Sequence, residues 1–204
     1  MPAAYDFRDL KAPRGFRNIN EIGDLSAVDW LHPVQSLYGD WSGRGMILGQ
    51  DYNSWENVKN LKISQLTHDE SFETNKNIRK VFGEDFKGIY ANYFWFIKDG
   101  RNASSYFSTR KEVIDANEII FKSTIEHMEN LKTIFCLGSK VYQSVFRKKY
   151  TAFDSHKTTL FGKGLEIVAL PHLGGLGMTN FCRQHSVTRS LGVDLVRKFV
   201  RTKI

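Results

Sequence analysis

The segment from Thr133 to Phe146, Thr-Ile-Phe-Cys-Leu-Gly-Ser-Lys-Val-Tyr-Gln-Ser-Val-Phe, decides how the chain is read. Thr133 to Leu137 form a short apolar run without alternation, the pattern of a strand buried on both faces. Gly138-Ser139 then turn the chain into a helix through about Phe146. Strands of that kind lie in parallel sheets, where helices carry the crossovers. Working outward, Glu112 to about Asn130 places Ile119, Ile120, Ile125 and Met128 as the apolar side of an amphipathic helix. Leu165 to Leu170 is a further strand that ends at Pro171. Upstream, Gly45 to Gly49 and Gly88 to Phe94 read the same way. The last helix is expected from about Arg183 to Val200, with Val187, Leu191, Leu195 and Phe199 on one face and Arg189, Arg197 and Lys198 away from it.

Alternation of strands and helices implies an α/β fold, a three-layer α/β/α sandwich around a short, mostly parallel four-stranded sheet. Residues 1–204 are expected to form a single domain, with 1–40 as an irregular arm holding a turn of helix near Leu25–Leu31. At 204 residues, 41% hydrophobic and 25% charged, the chain has the composition of a folded globular protein. A net charge of +7 and a pI of about 9.4 favour a polyanionic partner.

No apolar stretch is long enough for a transmembrane helix, and the first residues lack the layout of a signal peptide. Cys136 and Cys182 alone suggest a reducing compartment and exclude a four-cysteine iron–sulfur cluster held by this chain. A cytoplasmic monomer is therefore expected, or a nuclear one in a eukaryote. The histidines show no metal-ligand spacing, Gly174-Gly175-Leu176-Gly177 is not a dinucleotide fingerprint, and no phosphate-binding loop ends in Gly-Lys-Ser/Thr. Neither a metal nor a cofactor is expected.

In parallel α/β sheets the ligand crevice lies beyond the carboxyl ends of the strands. Four such exits carry chemistry: Asp51 after Gly49-Gln50, Asn92 between Tyr90 and Tyr93, Gly138-Ser139, and His172 at the head of a glycine-rich loop. Each has a plainer reading by itself. Asp51 could cap a helix near Ser54 to Leu61, Asn92 could bond only to neighbouring backbone, and a loop histidine is commonly a surface residue. Their coincidence at separate exits of one sheet raises the signal.

Taken in order, Gly49-Gln50-Asp51, Asn92 at a strand end, Ile134 to Gly138, and His172 in its glycine-rich loop resemble the uracil-DNA glycosylase superfamily. The resemblance covers about Gly45 to Leu176 and rests on short motifs. Ser71-Phe72, followed by Asn77 to Val81, is similar to that family's segment bearing a base-stacking aromatic. The resemblance implies a DNA-repair glycosylase that hydrolyses the N-glycosidic bond of a flipped deaminated base, uracil foremost. Asp51 and His172 would be catalytic, the first orienting water and stabilising the cationic sugar, the second donating to the base. Phe72 would stack on the base, Asn92 would read its edge, and Gln50 and Tyr52 would line the same pocket. Leu176 would enter the duplex as a wedge, with Gly138, Ser139, Gly174, Gly175 and Arg183 at the DNA backbone. The chain departs from the family at Tyr52, where a proline is usual after the acid, and at Leu173 and Gly174, where proline and serine are usual. Asn53 stands where the best-known branch has a tyrosine that excludes thymine.

The chemistry suits these groups. Breaking the bond leaves a cation-like sugar and an anionic base, which a carboxylate and a hydrogen-bond donor address together. Two other classes use the same residues: a catalytically silent nucleic-acid-binding domain of this fold, and a nucleoside hydrolase or transferase.

Overall fold

The structure, a computed structural model, describes residues 10–18, 21, 39–51, 53–60, 72–100 and 111–204. The turn of helix expected near Leu25–Leu31, much of the N-terminal arm, and Tyr52 lie outside these residues. Among the described residues the strands are β1 (Phe16–Arg17), β2 (Gly45–Gly49), β3 (Gly88–Asn92), β4 (Ile97–Lys98), β5 (Thr133–Leu137), β6 (Ser155–Leu160) and β7 (Lys163–Leu170). The helices are α1 (Trp55–Val58), α2 (Glu73–Phe82), α3 (Lys111–His127), α4 (Ser139–Phe146), α5 (Gly175–Gln184) and α6 (Arg189–Val200).

The fold is α/β, with a mixed five-stranded sheet in the order β3-β2-β5-β7-β6 and a small antiparallel pair of β1 and β4. The four strands read from the sequence are mutually parallel. The expected count of four is corrected by β6, which runs antiparallel along β7. Its residues, Ser-His-Lys-Thr-Thr-Leu, are mostly polar because an edge strand pairs on one side only and meets water. The two are joined by Phe161-Gly162, whose φ values of 48° and 79° fit the tight turn favoured in two-residue hairpins.

Strand alternation sends side chains to two separate cores. On one face Ile47, Tyr90, Phe135 and Val168 pack with Ile78 and Phe82 of α2, Met178 and Phe181 of α5, and Val196 of α6. On the other, Met46, Ile89, Ile134 and Ile167 pack with Phe121 and Ile125 of α3 and Val141 of α4. Helices thus cover both faces, and a side chain such as Phe135, with no exposed surface, contributes roughly 1.5–3 kcal/mol by burial.

The single C-terminal helix expected from Arg183 to Val200 is two helices. Ser186 takes a left-handed φ of 52°, and Thr188 starts α6 by accepting a hydrogen bond from the Leu191 N–H. The expected apolar stripe is corrected in part: Val187 and Phe199 pack against the core, but Leu191 is 54% and Leu195 40% exposed, and Gly192, Val193, Val196 and Val200 face the core. A strict spacing of four drifts about 40° per step around a helix of 3.6 residues per turn, so it does not trace one face. Among the described residues, no helix is long and apolar enough to cross a membrane.

Candidate active site

The register sets the site. Gly49 pairs with Asn92, Leu48 with Cys136, and Leu137 with Leu170, so the four parallel strands end in one row. Asp51 and His172 each follow that row by two residues. β5 lies between their strands, which puts the two strand axes about 10 Å apart on either side of the Gly138 exit.

Asp51 does not cap α1. Its Oδ1 accepts the Asn53 N–H at 2.8 Å, closing a local turn, and its Oδ2 accepts from Gln50 Nε2 at 2.6 Å. Ser54 occupies the cap position instead. Both carboxylate oxygens are therefore held in a fixed orientation. Burial raises the Asp51 pKa above the ordinary aspartate range, and the Asn53 N–H, the Gln50 amide and the Lys140 ammonium offset this only in part. A half-buried carboxylate without a direct ion pair among the described residues is a costly structural element and a useful electrostatic one.

Asn92 leans over Gly49, whose missing β-carbon is what makes room for the amide oxygen. The Tyr90 hydroxyl borders the same spot, 3.1 Å from where that β-carbon would stand, and burial with the nearby Asp51 charge pushes the phenol pKa up. Beyond the strand, the Tyr93 N–H donates to Gly49 O at 2.9 Å and the Phe94 N–H to Gln50 O at 2.8 Å. These bonds fasten the loops bearing Asp51 and Asn92 to each other. Among the described residues no hydrogen bond occupies the Asn92 side-chain amide.

His172 lies in a slot of backbone. The Gly174 N–H donates to its Nδ1 at 3.0 Å, so that nitrogen presents a lone pair and the neutral ring carries its proton on Nε2. A β-carbon on Gly174 would lie 2.7 Å from the ring Cε1, and one on Gly138 would lie 3.2 Å from the histidine Cβ. One on Gly177 would run into the His172 carbonyl. The histidine keeps an exposed edge, yet the crowded walls remove enough water to lower its pKa. The Nδ1 lone-pair contact opposes protonation as well, since an imidazolium has no lone pair to accept with.

A side-chain network anchors this loop. Asn77 of α2 donates from Nδ2 to Leu173 O at 2.7 Å, and Arg189 of α6 donates to Gly175 O at 3.3 Å. Glu73 joins them, 3.2 Å from both Asn77 Nδ2 and Arg189. Replacing Asn77 by Ala leaves a buried carbonyl unpaired, and about 1–3 kcal/mol of stability should be lost in urea denaturation. A loss below about half a kcal/mol would show that the tether is dispensable.

Of the other expected site residues, Phe72 stands at the cap position of α2 and is 42% exposed. Gly138 and Ser139 open α4, and Gly174 and Gly175 open α5. Leu176, in the first turn of α5, is 78% exposed. Arg183 falls in the last turn of α5, roughly 12 Å along the axis from Gly175, and so is not gathered with the rest. Sequence reasoning missed Lys140, Asn77 and Arg189. Lys140 follows Ser139 at a strand exit, so its position was marked in the sequence although its effect on Asp51 was not, and the Asn77 bond to Leu173 spans 96 residues. Arg189 had been set apart as facing away from the apolar stripe.

No protein-family model matches the chain, and no curated protein matches it.

Proposed function

We propose that the protein is a monofunctional DNA N-glycosylase of the uracil-DNA glycosylase type, hydrolysing the bond between deoxyribose C1′ and a flipped, deaminated base. The observation that carries this reading is the pairing of an oriented carboxylate with an imidazole whose Nδ1 accepts the Gly174 N–H, across one strand exit. In the proposed step the C1′–N bond breaks with both electrons leaving on the base. His172 Nε2–H donates to the base oxygen that gathers the negative charge, without giving up its proton. The Asp51 carboxylate faces the sugar as it becomes cationic and holds a water whose oxygen then bonds to C1′. The water's proton passes to the carboxylate and on to solvent.

The surroundings support a phosphate-bearing substrate. α4 and α5 both start at this edge with no side-chain cap and no acidic residue in the first turn, which leaves their N–H groups available to anions. Exposed Phe72 offers a stacking face and exposed Leu176 a wedge for the gap that a flipped base leaves. The deciding experiment incubates the protein with duplexes carrying one uracil, hypoxanthine, xanthine or mismatched thymine, followed by alkaline cleavage of abasic sites. Release from at least one is expected. Release from free nucleosides but not from DNA would favour a nucleoside hydrolase, and binding without release a silent domain.

Asn92 supplies the selectivity in this reading. Its NH2 can donate to a uracil carbonyl while its oxygen accepts from the ring N–H, and cytosine presents the opposite pattern. Asn92→Asp removes the donor, and the preference for uracil over cytosine should fall about tenfold or more. An unchanged ratio would reduce Asn92 to a structural residue over Gly49.

A further inference from the structure

At the other end of the strands lies a second concave surface, a groove of about 580 Å3 lined by Arg44, Lys132, Lys157, Thr159 and Glu166 among others. Arg44 immediately precedes β2, and Lys132 precedes β5. Thr133 pairs with Glu166, and Glu166 with Lys157, so the cations are strung across the sheet from β2 to β6. Three strand spacings make that row roughly 14 Å long.

The charge is only partly offset within the protein, Lys157 feeling the Glu166 carboxylate across the strand pair without a direct ion pair. Among the described residues no carboxylate lies within ion-pair distance of Arg44, Lys132 or Lys157. Glu166, the one acid in the groove, is engaged by Lys203 Nζ at 2.5 Å, and that bond foremost holds its pKa below the ordinary glutamate range. Lys157 on an edge strand also discourages pairing with another chain. That role does not account for Arg44 and Lys132, which lead into interior strands.

We propose that this groove holds the sugar–phosphate backbone of a nucleic-acid strand, at a site separate from the strand-exit cleft. A single phosphate group would call for cations converging on one point. Here they are spread in line with a carboxylate between them, over the rise of about four nucleotides of one duplex strand. Thr159 adds a hydroxyl donor on the same strand as Lys157.

The test is a triple variant, Arg44→Gln, Lys132→Gln, Lys157→Gln, compared with wild type and with a control, Lys59→Gln, Lys111→Gln, Lys122→Gln. The control removes the same charge from lysines already paired with carboxylates. Binding to a labelled undamaged duplex is followed by anisotropy across a salt series, with folding checked by thermal melts. The groove triple should lose about 2–3 units of log–log salt slope and roughly tenfold in affinity near 0.1 M salt, and the control less than one unit. Equal losses in both triples would mean diffuse charge and overturn the site, as would wild-type binding by the groove triple. Groove-dependent binding of inorganic phosphate or a nucleoside monophosphate, with duplex binding untouched, would overturn it in favour of a small ligand. Base release at saturating duplex is read separately. Groove-dependent binding without release by wild type would sink the glycosylase reading and leave the groove standing, and release with groove-independent binding would do the reverse.

Discussion

Asp51→Asn is expected to slow single-turnover base release by about 10²-fold or more, the scale for losing one preorganised electrostatic group. The substitution is chosen because it separates charge from shape. Asparagine keeps an oxygen to accept the Asn53 N–H, and its NH2 can donate to the Gln50 side-chain oxygen after that amide turns over. What disappears is the negative charge. Burial raises the Asp51 pKa in the folded state, so the carboxylate destabilises the fold at every pH where it is ionised. That penalty is fully present above the folded pKa and lifts as pH falls toward the unfolded value. The variant should therefore melt at an equal or higher temperature than wild type at neutral pH, with the difference shrinking in acid. A folded variant with near wild-type release would remove Asp51 from the chemistry.

His172→Ala should cost a comparable factor of about 10², and the pH profile of the wild type discriminates how the ring acts. The Gly174 N–H against Nδ1 and the lowered pKa both favour the neutral form. Asp51 is needed ionised and His172 neutral, so both requirements are met by raising the pH. Release should climb to a plateau and stay level through pH 6–8, the range in which an ordinary histidine titrates. Because the His172 pKa is lowered, its own acid limb falls below the ordinary histidine value. A rate that declines as pH rises through that range would mean that the imidazolium is the acting form. Nitrogen NMR of the ring checks the same point independently, since the proton is expected on Nε2.

The interior of the sheet was legible because β2, β5 and most of β3 and the second half of β7 are short apolar runs, as burial on both faces requires. β6 was not, since its pattern is that of a half-solvated edge and its turn uses Phe161, a residue that does not advertise a positive φ. The C-terminal break was hidden for a related reason. Ser186 and Thr188 carry the cap chemistry, but an apparent four-residue stripe ran straight through them. At the site, the residues borne directly on strand exits could be read, because the end of a buried strand is itself a sequence signal. Asn77 and Arg189 could not, because their roles consist of bonds to the Leu173 and Gly175 carbonyls from helices distant in sequence. Lys140 acts on Asp51 through space from a neighbouring exit, and that relation exists only once the strands are registered.

The slot around His172 has a consequence for how this chain can drift. Its walls are the backbone of residues 138, 174 and 177, and side chains there would collide with the ring or its carbonyl. Leu173 gives its carbonyl to Asn77 and is itself buried in the core, whereas Leu176 points to solvent. A lineage keeping this histidine in service must therefore keep all three glycines, whatever changes at the exposed positions around them. Its recognisable trace would be a spacing of absences rather than a string of functional groups.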